Sequence, residues 1–154
     1  MSWHIYVDGA SCCNPGPAGA GLVIYDENGN ELGRDSAYLG EMTNNMAEYE
    51  ALVRALKKAE EASVRDVSVY TDSLLVKNQI KGTYKIKNEI LKKYADEARQ
   101  IARTFDHFVI EYIPREQNKI ADKLAKGAAN KRGRRVTAPL DGEESPGIDG
   151  QDGP

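Results

Sequence analysis

Two segments of the chain end alike. Ile5-Tyr6-Val7-Asp8-Gly9 and Val69-Tyr70-Thr71-Asp72-Ser73 each alternate apolar and polar residues and close on Tyr-x-Asp. Alternation of that period marks a strand. A stretch with helical spacing lies between them, so the two strands can be parallel neighbours joined by a helical crossover. Matched endings then set Asp8 and Asp72 side by side, roughly 5 Å apart. The carboxyl ends of parallel strands are also where open α/β sheets gather ligands. Two carboxylates that close repel, so either a cation between them or a strongly raised pKa is expected.

The remaining elements fit around this pair. The first strand, residues 3–8, has Trp3, Ile5 and Val7 on one face, and Asn14-Pro15-Gly16-Pro17 reads as a loop. Ala20 to Tyr25 and Glu31 to Leu39 form strands on either side of the turn Asn28-Gly29, the second near an edge because of its charges. Tyr49, Leu52, Val53, Leu56 and Ala59 give a helix from Asn44 to about Ala62, with Thr43 or Asn44 as its N-cap. After the strand at 67–72 come helices over Leu74 to Ile80 and, capped by Asn88, through Ile101 to Arg103. His107 to Ile113 is a fifth strand, and a last helix runs from about Asn118 to Asn130. The order predicts an α/β fold: a five-stranded mixed sheet, three strands antiparallel, with helices on both faces.

The net charge of −3 averages two unlike regions. Residues 136–154 hold five acids, no Lys or Arg, and three prolines and four glycines, so they are expected to be a disordered acidic tail beside a folded domain over 1–135. That domain has 21 basic and 19 acidic residues, with six lysines between Lys77 and Lys93 around Tyr84. Such a run is a possible nucleic-acid footprint as well as a solvated helix face. No segment is apolar enough to span a membrane and no signal peptide is visible, so a cytosolic location is the default expectation. Cys12 and Cys13 are adjacent, their Cα atoms closer than the usual disulfide span, and are not read as a disulfide. With only two histidines besides, a metal is expected on oxygen ligands.

Two further acids are candidates for that role. Glu48 lies in the first turns of its helix, where the dipole favours an anion, yet shares a face with Leu52 and Ala55. Asp122 flanks the apolar stripe of the last helix. Singly each has an ordinary reading; four carboxylates converging on one sheet end resemble a Mg²⁺ site.

Taken in order, Asp8-Gly9-Ala10 with Asn14-Pro15-Gly16-Pro17-Ala18-Gly19, Thr43-Asn44-Asn45-Met46-Ala47-Glu48, Tyr70-Thr71-Asp72-Ser73 and Asn118-Lys119-Ile120-Ala121-Asp122-Lys123-Leu124-Ala125 resemble the motifs of type I ribonuclease H. The resemblance covers roughly residues 1–130. It implies hydrolysis of the RNA strand of RNA–DNA hybrids, with Asp8, Glu48, Asp72 and Asp122 holding two Mg²⁺ ions that Mn²⁺ can replace. Products would carry 5′-phosphate and 3′-hydroxyl ends, with no protein nucleophile. Asn14, Asn44 and Asn45 would face the RNA strand, where a protein senses the 2′-hydroxyl. Thr43 and Asn88 match positions that grip a DNA phosphate, and Tyr84 with Lys85 matches an aromatic and basic contact to the DNA strand. As residues alone, the same positions serve as turn and cap formers. The chain departs from the pattern in four places: the path from Gly82 to Asn88 lacks the basic, Trp-containing insertion of several members, no His stands between Pro114 and Asp122, Glu41 stands where some members have a basic residue near the DNA phosphate, and Leu74 where relatives have polar or Met side chains. Arg115, Glu116 and Lys119 are the candidates to replace that His, and Arg115 is the expected one because it stays charged at any working pH. A monomer is expected. The alternative is the same fold acting on double-stranded RNA or branched DNA.

Overall fold

The computed structural model describes residues 1–131, so the domain boundary at 135 and the acidic tail expected over 136–154 lie outside the described residues. The elements follow in the order β1 (Ser2–Ser11), β2 (Gly16–Tyr25), β3 (Glu31–Met42), α1 (Asn44–Glu61), β4 (Asp66–Thr71), α2 (Leu74–Lys81), α3 (Glu89–Ala102), β5 (His107–Tyr112), a 3-10 turn at Arg115–Gln117, and α4 (Lys119–Ala129). The five strands form one sheet in the order β3-β2-β1-β4-β5. β1, β2 and β3 pair antiparallel, and β4 and β5 run parallel to β1. The expected mixed sheet is the observed one.

In the β1–β4 ladder Tyr6 lies opposite Tyr70 and Val7 opposite Thr71, so the next residues on, Asp8 and Asp72, stand at the same level. Ile5, Val7, Leu22, Val67, Val69 and Ile110 point to one face, where Tyr49, Leu52 and Leu56 of α1 complete a fully buried core. Thr43 caps α1, its hydroxyl accepting from the Met46 amide, and fixes the helix start five residues before Glu48. α4 covers the other face along β2 and β1.

Glycines set how close both helices come. A Cβ at Gly9 would overlap the Ala47 carbonyl and the Glu48 nitrogen of α1. On the opposite face a Cβ at Gly21, the β2 partner of Asp8, would overlap the Ala121 carbonyl oxygen of α4, and one at Gly19 the Ala125 carbonyl oxygen. Neither contact tolerates a side chain, because the obstruction is backbone rather than a rotatable group.

Two local expectations are corrected. Gly16 and Pro17, read as loop, open β2 opposite Met42 and Glu41, because the β1–β2 ladder continues past Asp8 as far as Ser11 opposite Ala18. Pro17 is tolerated there as the second residue of the strand. Cys12 and Cys13 are joined in a disulfide despite a Cα separation of 3.8 Å. The usual span describes cysteines brought together from different segments; an adjacent pair closes only a small ring, encloses no chain, and so staples nothing. Replacing Gly21 with Ala is expected to cost roughly 1–3 kcal/mol of stability by pushing α4 off the sheet. Urea unfolding checks this, and an unchanged midpoint would refute it.

Candidate active site

Asp8 is the middle residue of the buried run Val7–Gly9 of β1, Asp72 follows the last residue of β4, and Glu48 descends from the second turn of α1. Carboxylate oxygens of the three lie within 4.8 Å of one another. The Glu48 side chain is aimed at the sheet, as its face-sharing with Leu52 suggests, and its Oε1 accepts from the Gly9 amide at 3.0 Å. That bond is possible because Gly9 lets α1 approach. Asp122, on the first turn of α4, is near enough to raise the Asp8 carboxyl but falls outside this group of three, and its Oδ2 pairs with Lys126 at 3.2 Å.

Asn118 holds the two central strands together beneath this cluster. Its buried Nδ2 donates to the Val7 carbonyl at 2.8 Å and lies 3.4 Å from Asp72 Oδ2. The residue occupies the N-cap position of α4 but makes no capping bond with its side chain. Sequence reasoning placed it only as a helix start; nothing local signals a contact made 111 residues away. Arg115 Nε stands 4.0 Å from the same Asp72 oxygen, with most of its side chain in solvent. The other oxygen, Asp72 Oδ1, is buried with no hydrogen-bond partner. A buried carboxylate oxygen left bare at a cluster of acids fits an oxygen-ligated divalent cation, which would be its missing partner.

Electrostatics say the same. The Asp8 carboxyl is raised to about 10, first by burial, then by the charges of Glu48 and Asp72, and then by Asp122. Glu48 is raised to about 8, by burial and then by Asp72, with the Gly9 amide acting in the opposite sense. Without a cation the cluster resists holding all its negative charges.

The structure also locates the expected substrate contacts. Asn14 and Asn44 form a reciprocal latch between the β1–β2 loop and the start of α1: Asn14 Oδ1 accepts from the Asn44 amide at 2.8 Å, and Asn44 Oδ1 from the Ser11 amide at 3.1 Å. Asn14 adopts a left-handed φ of 40°, a conformation its short amide side chain tolerates. Asn45 is exposed on the first turn beside them. Tyr84 and Lys85 are exposed between α2 and α3, and Asn88 caps α3, its Oδ1 accepting from the Ile90 and Leu91 amides. These three stand outside the carboxylate cluster.

The raised pKa values fix the sign of a pH effect. A carboxyl whose folded pKa exceeds its unfolded value favours the fold at low pH, and that contribution is lost as pH rises from the ordinary carboxyl range through the folded values. The metal-free protein is therefore expected to lose stability between about pH 5 and pH 9, and a divalent cation to restore more at pH 9 than at pH 5. Asp8→Asn is expected to raise the metal-free Tm at pH 8 by about 4 °C for each kcal/mol of strain relieved, and to abolish the gain from metal. Thermal melts with and without chelator measure both; a metal-free Tm that rises across this window would contradict the assignment.

Comparison with known proteins agrees with this geometry. Residues 6–128 match the family model described as reverse transcriptase-like. The ribonuclease HI of Halobacterium salinarum is 38% identical over 125 residues, 81% of this chain and 63% of that protein. A bifunctional protein of Mycobacterium tuberculosis is 34% identical over 142 residues, 92% of this chain, which spans 39% of its length. The crystal structure of LC11-RNase H1 in complex with an RNA/DNA hybrid superposes with a TM-score of 0.78 at 44% identity, covering 82% of this chain and 96% of that one. The ordered acidic motifs, the sheet order and these similarities have one reading: the chain belongs to the ribonuclease H family.

Proposed function

We propose that this protein is a metal-dependent endoribonuclease that hydrolyses the RNA strand of RNA–DNA hybrids, leaving 5′-phosphate and 3′-hydroxyl ends. The observation that carries the reading is the buried cluster of Asp8, Glu48 and Asp72 with its bare Asp72 oxygen, in a fold whose relative LC11-RNase H1 was crystallised on such a hybrid. Asp8, Glu48, Asp72 and Asp122 would hold two divalent ions, Mg²⁺ or Mn²⁺, because small hard cations take carboxylate oxygens. When bound, such a pair supplies an activated water and neutralises charge on the attacking and leaving oxygens.

The chain's own residues have distinct parts in this scheme. Asn118 and the Gly9 amide orient Asp72 and Glu48, fixing carboxylates that repulsion would otherwise spread. Arg115, charged, exposed and 4.0 Å from Asp72, is placed to meet a phosphate entering beside the acids, in the role the absent histidine leaves open. Asn14, Asn44 and Asn45 present side-chain amides at the start of α1, one turn from Glu48, where RNA 2′-hydroxyls would be sensed. The latch holds Asn14 and Asn44 through their oxygens, so their NH₂ groups are the donors offered to substrate. Tyr84, Lys85 and Asn88 would receive the DNA strand, and Thr43 a DNA phosphate. One chain supplies all four acids, so the scheme works for a monomer.

The test is cleavage of an end-labelled RNA–DNA hybrid beside RNA–RNA, DNA–DNA and branched DNA substrates, with Mg²⁺, Mn²⁺ or chelator. Metal-dependent cutting of the hybrid's RNA strand alone is expected. Cutting of double-stranded RNA or junctions with hybrids untouched would overturn the substrate. Asp72→Asn is expected to lower the hybrid rate by about 10²–10⁴-fold, as losing several kcal/mol of charge stabilisation implies, with unchanged circular dichroism. Arg115→Ala is expected to lower it by about tenfold, and full activity in that variant would remove Arg115 from the site.

A further inference from the structure

The last four carbonyls of an α-helix have no partners within the helix, and in α2 these belong to Asn78, Gln79, Ile80 and Lys81. Where they find donors decides how firmly the end of α2 is held. Gly82, at a left-handed φ of 83°, turns the chain so that its amide donates to the Gln79 carbonyl at 3.1 Å. The Thr83 and Tyr84 amides both donate to the Asn78 carbonyl, at 2.8 and 3.2 Å. Tyr84, exposed and assigned to the DNA strand, is thus fastened by its backbone to the last turn of α2.

The other donors come from α3. Arg99 Nη2 donates to the Gln79 carbonyl and Nε to the Ile80 carbonyl at 3.4 Å, so one edge of the guanidinium spans two successive carbonyls. A cation in that place also faces the negative end of the α2 dipole. Arg99 Nη1 lies 3.8 Å from Asp96, one turn earlier on α3. Gln79 is the junction: it is 5% exposed, and its Oε1 accepts from the Tyr49 hydroxyl at 2.7 Å. Tyr49 directly follows Glu48 on α1. The end of α2 is therefore tied to α1 beside a carboxylate of the cluster, and to α3 through Arg99.

We propose that Arg99 is a positioning residue for the DNA strand: by clamping the last turn of α2 it fixes where Tyr84 and Lys85 stand relative to the carboxylate cluster. The inference rests on Tyr84 and Lys85 receiving that strand. Arg99 touches no phosphate in this scheme, because its side chain is two-thirds covered and all three of its nitrogens are engaged within the protein. Without it two carbonyls lose a donor and the turn loosens. A contact that was ordered in advance must then be ordered at binding, and that cost falls on affinity while the chemistry at the cluster is left alone.

Two measurements on the full chain test this. Amide hydrogen exchange needs no substrate: in Arg99→Gln the Thr83 and Tyr84 amides are expected to exchange about tenfold faster, while those of β1 and β4 keep their protection. In steady-state cleavage of an RNA–DNA hybrid the same variant is expected to raise KM about tenfold and to leave kcat within about twofold. Arg99→Lys, which keeps the cation but has no two-pronged edge, is expected to move both readouts the same way by less. Added to Tyr84→Ala with Lys85→Ala, Arg99→Gln is expected to raise KM by no more than about twofold, because its effect passes through those residues. Unaltered exchange of both amides in Arg99→Gln would overturn the proposal, as would an undiminished KM effect in the Tyr84 and Lys85 background. So would a salt dependence of KM whose log–log slope falls by about one in Arg99→Gln, because Arg99 would then be meeting a phosphate itself. A hybrid left uncut by the unaltered chain would sink the substrate, and the exchange measurement would still decide whether Arg99 holds the turn.

Discussion

Everything at the acidic end of this molecule depends on the parallel, in-register pairing of β1 and β4. Because Tyr6 faces Tyr70 and Val7 faces Thr71, the two aspartates that follow are forced to one level at the end of the sheet. A slip of one residue would turn one of them to the opposite face. The ladder hydrogen bonds and the core beneath them thus oppose the repulsion that the same register creates, and the Asn118 amide spans the two strands where that repulsion is greatest.

Close approach of the helices turns a pair of aspartates into a site. Gly9 admits α1 near enough for Glu48 to take the Gly9 amide, and Gly21 admits α4 near enough for Asp122 to reach Asp8. Helices held off by a methyl group would leave the acids wetter and further apart. Burial and mutual charge would then raise Asp8 and Glu48 less, and a cation would gain less by binding. Packing of the glycines and electrostatics of the acids are one device seen on two scales.

How much of this the sequence discloses depends on the range of the interaction. The twin Tyr-x-Asp endings report their own register, since each strand carries its period locally, and the helical spacing around Glu48 reports which way that side chain turns. Thr43 and Asn88 read correctly as caps because capping is a contact over two or three residues. Asn118 does not read correctly: a helix-start Asn looks like a cap, and only the folded sheet shows its bond to Val7. The Asn14–Asn44 latch and the strand pairing of Pro17 are equally non-local. The cysteine pair misled for another reason, a distance rule applied to neighbours that it does not describe.

The central claim is that the fold holds Asp8 and Glu48 in a state only a divalent cation satisfies. Site-resolved ¹³C NMR titration of their carboxyl carbons tests it most directly. Without metal both are predicted to titrate well above the ordinary carboxyl range, and with saturating Mg²⁺ both midpoints are predicted to fall below it. Ordinary midpoints in the metal-free protein, or midpoints that Mg²⁺ leaves in place, would contradict the account.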